Sequence, residues 1–160
     1  VSRLPRVTKR PALTPQVFGC GIASGHATAG NLGGEKKKDY SVVGNIVNLA
    51  SNAGLMGQAY TVAYCMSKGA VIQLTRSLAM EFVRTDLRVN AIAPAAVNTP
   101  LLHNFEIADG VDVELMKPYM GFRGMAEADE LARLFAFVAS DEVPNMHGAV
   151  ISVDNGITAG

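Results

Sequence analysis

Asn45-Ile-Val-Asn-Leu-Ala-Ser51 is a short apolar run that ends on a hydroxyl, and Tyr64-Cys-Met-Ser-Lys68 begins thirteen residues after that serine. Asn45–Ala50 carries β-branched and apolar side chains and predicts a strand. Ser51–Ala59 contains Gly54 and Gly57 and predicts a loop. From Tyr60 to about Arg84 there is no proline, and Tyr64, Val71, Leu74, Leu78 and Phe82 recur at helical spacing. That spacing predicts an amphipathic helix. Tyr64 and Lys68 then share one face of it, one turn apart.

The pattern continues downstream. Arg88–Ala93 predicts a second buried strand, ended by Pro94. Residues 95–125 form a long connection with Gly110, Pro118, Gly121 and Gly124. Leu131, Leu134, Phe135 and Val138 mark a helix over roughly 126–140. Ala149–Val153 predicts a third strand, stopped by Asn155-Gly156. Strand–helix–strand–helix–strand alternation implies an α/β fold with parallel strands and crossover helices. In such sheets ligands bind beyond the carboxyl ends of the strands, where Ser51 and the segment after Pro94 both lie. Before residue 44 the character differs. Pro5, Pro11 and Pro15 interrupt any helix, residues 19–34 are dense in glycine, and Glu35-Lys-Lys-Lys-Asp39 reads as a solvated loop. Residues 1–43 are therefore expected to be irregular or poorly ordered, and 44–160 to carry the fold.

Composition limits the function classes. A chain of 160 residues that is 49% hydrophobic can bury a core as one domain. Its formal net charge of zero gives no footprint for nucleic acid. No apolar run approaches the roughly 20 residues of a membrane span. Cys20 and Cys65 make neither a disulfide framework nor a zinc motif. A reducing cytoplasm is the expected setting, and Cys65 reads as a small buried hydrophobe.

The chemistry centres on Ser51, Tyr64 and Lys68. A lysine ammonium one turn from a tyrosine stabilises a phenolate, so Tyr64 can give a proton to a carbonyl oxygen or take one from an alcohol. Ser51 can hydrogen-bond the same oxygen. A serine nucleophile is the weaker reading, because no Gly-x-Ser-x-Gly elbow surrounds Ser51 and His26 has no evident acid partner. A tyrosine–lysine pair alone is a weak signal, since two neighbours on a helix surface give the same spacing. The strand ending at Ser51 and the second strand ending at Pro94 strengthen it.

From Gly44 to Gly160 the chain resembles the carboxyl-terminal portion of a short-chain dehydrogenase/reductase. The matching text is Asn45–Ser51, Tyr64-x-x-x-Lys68, Arg88–Pro94, Val97-Asn-Thr99-Pro100, Ala139-Ser-Asp-Glu142 and Val153-Asp-Asn-Gly156. The resemblance implies a partial Rossmann-like three-layer sandwich holding the last three strands of the family sheet. It implies NAD or NADP as cofactor and a small-molecule alcohol or ketone as substrate. Ser51 would orient the substrate oxygen, Tyr64 act as acid/base, and Lys68 also hold the nicotinamide ribose. Tyr64, Lys68, Pro94, Val97 and Thr99 would contact the nicotinamide end of the cofactor. Residues 101–124 would form the substrate lid, with Leu101, Leu102, Phe105 and Met116 apolar. A homo-oligomer is expected of the folded chain. The family's phosphate-binding turn, Thr-Gly-x-x-x-Gly-x-Gly, has no match. Gly21-Ile-Ala-Ser-Gly25-His-Ala27 imitates it too close to Ser51 and reads as linker. Leu13 stands near the family's relay asparagine, and Ala95 replaces its usual glycine. The alternative expectation is accordingly a truncated, catalytically inactive relative whose first strand has an unpaired edge.

Overall fold

The computed structural model of the protein describes residues 28–31, 40–103 and 109–159. In chain order, β1 (Thr28–Asn31) and β2 (Tyr40–Val43) form an antiparallel ribbon within the segment expected to be irregular. The Gly21–Ala27 turn, the Glu35–Asp39 run, Leu13, Cys20, His26 and Phe105 lie outside the described residues. The core elements follow: β3 (Asn45–Leu49), a 3₁₀ turn at Asn52–Gly54, α1 (Val62–Glu81) and β4 (Arg88–Pro94). The connection expected as a long loop contains β5 (Val97–Asn98), α2 (Pro100–His103), a 3₁₀ turn at Val113–Leu115 and α3 (Lys117–Met120). It ends in β6 (Ala126–Glu127), which pairs in parallel with β5. Then come α4 (Ala128–Ala139) and β7 (Val150–Val153).

Strands β3, β4 and β7 form one parallel sheet in that order, with Leu49 opposite Ile92 and Pro94 opposite Val153. Period-two alternation sorts β4 onto both faces. Val89, Ala91 and Ala93 join clusters with Ala79 and Ile72 of α1. Ile92 joins Val47, Leu131 and Val138, the last two from α4. Helix, sheet and helix thus make three layers, the architecture the resemblance implies. All seven residues of β4 are buried, as a central parallel strand requires. Val89 and Ile92 are fully buried, and each such aliphatic side chain contributes about 1.5–3 kcal/mol over leaving it exposed.

The inward stripe of α1 differs from the one its larger apolar residues suggest. Ile72, Thr75 and Ala79 are the buried positions, whereas Tyr64 and Leu74 face outward. Small residues at 75 and 79 let the helix seat closely on the sheet. The Thr75 hydroxyl donates to the Val71 carbonyl and accepts from the buried Asn48 amide at 2.8 Å, so neither polar group is stranded. Helix α4 starts two residues later than its periodicity suggests. Glu127 and Glu130 form a reciprocal capping box, with the Glu127 N–H donating to the Glu130 carboxylate at 2.8 Å.

Polar side chains of β4 tie down the loop that leads into β7. The buried Arg88 guanidinium donates to the carbonyls of Ser140, Val143 and Met146. Asn90 donates to the Met146 carbonyl at 2.8 Å and accepts from the Ala149 N–H at 3.0 Å. His147 accepts from the Val89 N–H at 3.1 Å through Nδ1, and its Nε2 meets the Ala79 carbonyl at 2.7 Å. An N–H only donates and a carbonyl only accepts, so these partners assign the Nε2–H tautomer.

Past β7, the buried Asp154 carboxylate organises a turn. It accepts from the Ser152 hydroxyl at 2.9 Å, the Gly156 and Thr158 N–H groups at 3.1 Å each, and the Thr158 hydroxyl. Burial raises its pKa, but these donors outweigh burial and hold the carboxyl below the ordinary carboxylate range. A native pKa below the unfolded value, near 3.9, adds stability above that value and loses it as pH falls through the native one. The urea-midpoint difference between wild type and Asp154→Asn is expected to be full at neutral pH and to shrink below about pH 4. A difference that stays constant through that range would contradict a charge-dependent role.

Candidate functional site

The carboxyl end of β3 fixes the serine. The ladder runs one residue past the strand, with the Ala50 N–H donating to the Ile92 carbonyl at 2.8 Å. Ser51 is extended and caps the 3₁₀ turn; its Oγ accepts from the Ala53 N–H at 3.2 Å. The Ser51 hydroxyl donates to Asn52 Oδ1 at 3.2 Å, and Gln58 Nε2 donates to that same oxygen at 3.3 Å. Ser51 and Asn52 are both buried.

The turn then meets α1 backbone to backbone. A Cβ on Gly54 would sit 2.7 Å from the Lys68 carbonyl carbon and oxygen and 2.8 Å from Ile72 Cδ1. Only a residue without a side chain fits there. From α1, the Lys68 ammonium donates to the Leu49 carbonyl at 3.1 Å, two residues before Ser51. It also lies 5.7 Å from the centroid of the Tyr64 ring. The structure thus brings Lys68 and Ser51 together at the end of β3, with Tyr64 beside Lys68. Tyr64 is half exposed, and its hydroxyl makes no hydrogen bond to Ser51 or to another described residue.

The residues expected at the nicotinamide end occupy the adjoining strand end. Pro94 closes β4, opposite Val153. Val97 packs against the Ile92–Leu131 cluster and pairs with Ala126. The Thr99 hydroxyl donates to the Val97 carbonyl at 3.4 Å, and the Thr99 carbonyl accepts from the Leu102 N–H at 3.0 Å. Of the apolar residues expected in a lid, Met116 is buried and Leu102 is exposed.

Two tyrosines that carry no sequence motif fasten residues 109–124 to the loop before α1. The Tyr119 hydroxyl of α3 donates to the Ala59 carbonyl at 2.8 Å. Burial raises the Tyr119 pKa, and the neighbouring Tyr60 and Cys65 raise it further, which keeps the hydroxyl a donor. The Tyr60 hydroxyl accepts from the Asp112 N–H at 3.0 Å. At the far side Gly121, with φ of 73°, leaves room for Ile157, and Asn155 donates to the Gly124 carbonyl at 3.1 Å. Residues 112–124 are thus held from two sides.

Residues 25–158 match the family model described as enoyl-(acyl carrier protein) reductase. Over 111 residues the chain is 38% identical to an uncharacterized short-chain type dehydrogenase/reductase, y4vI, of Sinorhizobium fredii, covering 69% of this chain and 20% of that one. Over 116 residues it is 36% identical to the cis-4-hydroxycyclohexanecarboxylate dehydrogenase of Sinomonas cyclohexanicum, covering 72% of this chain and 45% of that one. Among solved structures it is similar to ElxO with NADP bound, at a TM-score of 0.61 and 28% identity, covering 72% of this chain and 47% of that one. It is also similar to 4-hydroxyisoleucine dehydrogenase complexed with NADH, at a TM-score of 0.59 and 31% identity with the same coverage. The chain spans less than half the length of each of these proteins.

Gly54→Ala tests the coupling of the serine turn to α1. Overpacking of this kind costs about 1–3 kcal/mol, and here the obstacle is backbone rather than a yielding side-chain tip. A drop of that size in urea-unfolding free energy is expected, with shifted Ser51 and Lys68 amide resonances. Unchanged stability and unchanged resonances would contradict the tight approach.

Proposed function

Because the chain belongs to the short-chain dehydrogenase/reductase family, we propose that it is an oxidoreductase that uses NAD or NADP to interconvert a secondary alcohol and a ketone. The observation that carries the reading is the convergence of Ser51 and Lys68 on the end of β3, with Tyr64 one helical turn before the lysine. A relative named for cis-4-hydroxycyclohexanecarboxylate supports a hydroxyl-bearing substrate.

The residues present fit the nicotinamide end of the cofactor. Lys68 gives one ammonium hydrogen to Leu49 and has two more for ribose hydroxyls. Pro94 and Val97 offer apolar surface, and Thr99 a hydroxyl, at the carboxyl end of β4. When bound, the nicotinamide supplies the hydride acceptor for alcohol oxidation and the hydride donor for ketone reduction. Tyr64 takes the alcohol proton in one direction and returns it in the other. The Lys68 charge favours the phenolate, the form of Tyr64 that receives that proton and that remains once it is given up. Ser51, held by its turn, contacts the substrate oxygen and steadies its changing charge. Tyr60 and Tyr119 fasten residues 109–124 to the loop that leads into α1.

Self-association belongs to the same proposal. Val62, Met66, Met80 and Val83 of the α1 region are exposed apolar residues that a second copy would cover. A cytoplasmic setting fits the free Cys65 thiol. A second reading, a catalytically silent relative, is favoured by one observation: among the described residues β3 pairs on one side only.

Tyr64→Phe decides the acid/base assignment. Loss of a positioned proton donor or acceptor costs about 10²–10⁴-fold in rate, so kcat is expected to fall by that much with KM little changed. Retained turnover in the variant would remove Tyr64 from the role.

A further inference from the structure

Asn155 is the only asparagine of the chain that a glycine follows. Asparagine cyclises most readily before glycine, because a residue without a Cβ leaves its backbone nitrogen uncrowded. Both residues are exposed, in the turn that follows β7. Asn155 has φ of 56° and Gly156 φ of 85°, and a Cβ at Gly156 would meet nothing within 4 Å, so nothing packs over the turn there. Asn155 also carries a tertiary contact. Its Nδ2 donates to the Gly124 carbonyl at 3.1 Å, across 31 residues. On its other side stands the buried Asp154, whose Oδ1 accepts from the Gly156 N–H at 3.1 Å.

We infer that Asn155 is a site of spontaneous covalent modification, and that its conversion to aspartate or isoaspartate unfastens residues 121–124 from the turn after β7. The Gly156 nitrogen attacks Asn155 Cγ, and the new N–Cγ bond closes a succinimide ring. The Cγ–Nδ2 bond breaks, and the amide leaves as ammonia with the Gly156 proton. Water then adds to one of the two imide carbonyls. Opening at one gives aspartate, and opening at the other gives isoaspartate, whose backbone is longer by a methylene. Either product carries a carboxylate in place of the amide. A carboxylate only accepts, so it has nothing to give the Gly124 carbonyl, and it lies one residue from the Asp154 charge. The fold slows the reaction without blocking it. The Gly156 N–H must leave Asp154, and the amide must leave Gly124, before the ring closes. Each net hydrogen bond of this kind is worth roughly fivefold, so the two together slow it roughly twenty-five-fold.

The test ages the full chain in mildly alkaline buffer, folded and in guanidinium chloride. Mass spectrometry then follows the tryptic peptide that begins at Leu134, with fragmentation separating Asn155 from Asn145. Asn155 is expected to show the mass gain of an amide turned to an acid in both states, roughly twenty-five-fold more slowly when folded. Asn145, which precedes methionine, is expected to lag behind it, and Asn155→Gln, whose longer side chain cannot close the same ring, to stay unmodified at that position. In ¹⁵N spectra the aged chain and Asn155→Asp are expected to share displaced Gly124 and Met125 amide resonances. Should Asn155→Asp not fold, the aged wild type supplies that readout alone. An Asn155 that stays intact in the folded chain while the unfolded chain is consumed, or that stays intact in both, would overturn the site. Modified protein with unmoved Gly124 and Met125 resonances would overturn its consequence.

Discussion

The close approach of Gly54 to the backbone of α1 at Lys68 is the constraint on which the site depends. It presses the turn that carries Ser51 against the helix that carries Tyr64 and Lys68. Once the two backbones touch, the Lys68 side chain can reach back to the Leu49 carbonyl and close the joint from the other side. Ser51 and Lys68 are thereby held at the end of β3, with Tyr64 one turn before the lysine. Catalytic groups need such pre-organisation more than they need strong individual contacts.

The sheet supplies the platform. Parallel pairing of β3 with β4, and of β4 with β7, brings their carboxyl ends to one edge, so Ser51, Pro94 and the Asp154 turn share it. Arg88, Asn90 and His147 keep that edge in register from below. Arg88 and Asn90 satisfy backbone groups of the connection into β7, and His147 of that connection satisfies the Val89 N–H of β4 and the Ala79 carbonyl of α1. Breaking one such buried, charge-assisted bond costs about 1.5–3 kcal/mol, comparable to removing a core side chain. Polar residues in the middle of an apolar strand thus serve the loop rather than the sheet.

Much of this was legible in local pattern. The β-branched and apolar run of β3, the buried-type run of β4, the helical spacing in α4 and the glycine in the serine turn are short-range signals, and each led to the right element. The inward face of α1 was not legible, because its buried positions include Thr75 and Ala79, whose small size matters more than their hydropathy. The fastenings of residues 109–124 were invisible for another reason. Tyr60 bonds to Asp112 across 52 residues and Tyr119 to Ala59 across 60, and no local period encodes a contact that distant. The same holds for the two-residue pairing of β5 with β6. Asn52 and Gln58 were passed over as loop residues, yet both reach the Ser51 hydroxyl network.

Fluorescence titration of the purified chain with NADH and with NADPH, in wild type and in Lys68→Met, addresses the proposed oxidoreductase function most directly. Saturable binding of one cofactor is predicted for wild type. Loss of the ammonium's charged hydrogen bonds is predicted to weaken it by about tenfold or more in the variant. Binding of neither cofactor at millimolar concentration, or equal binding by wild type and Lys68→Met, would contradict the account.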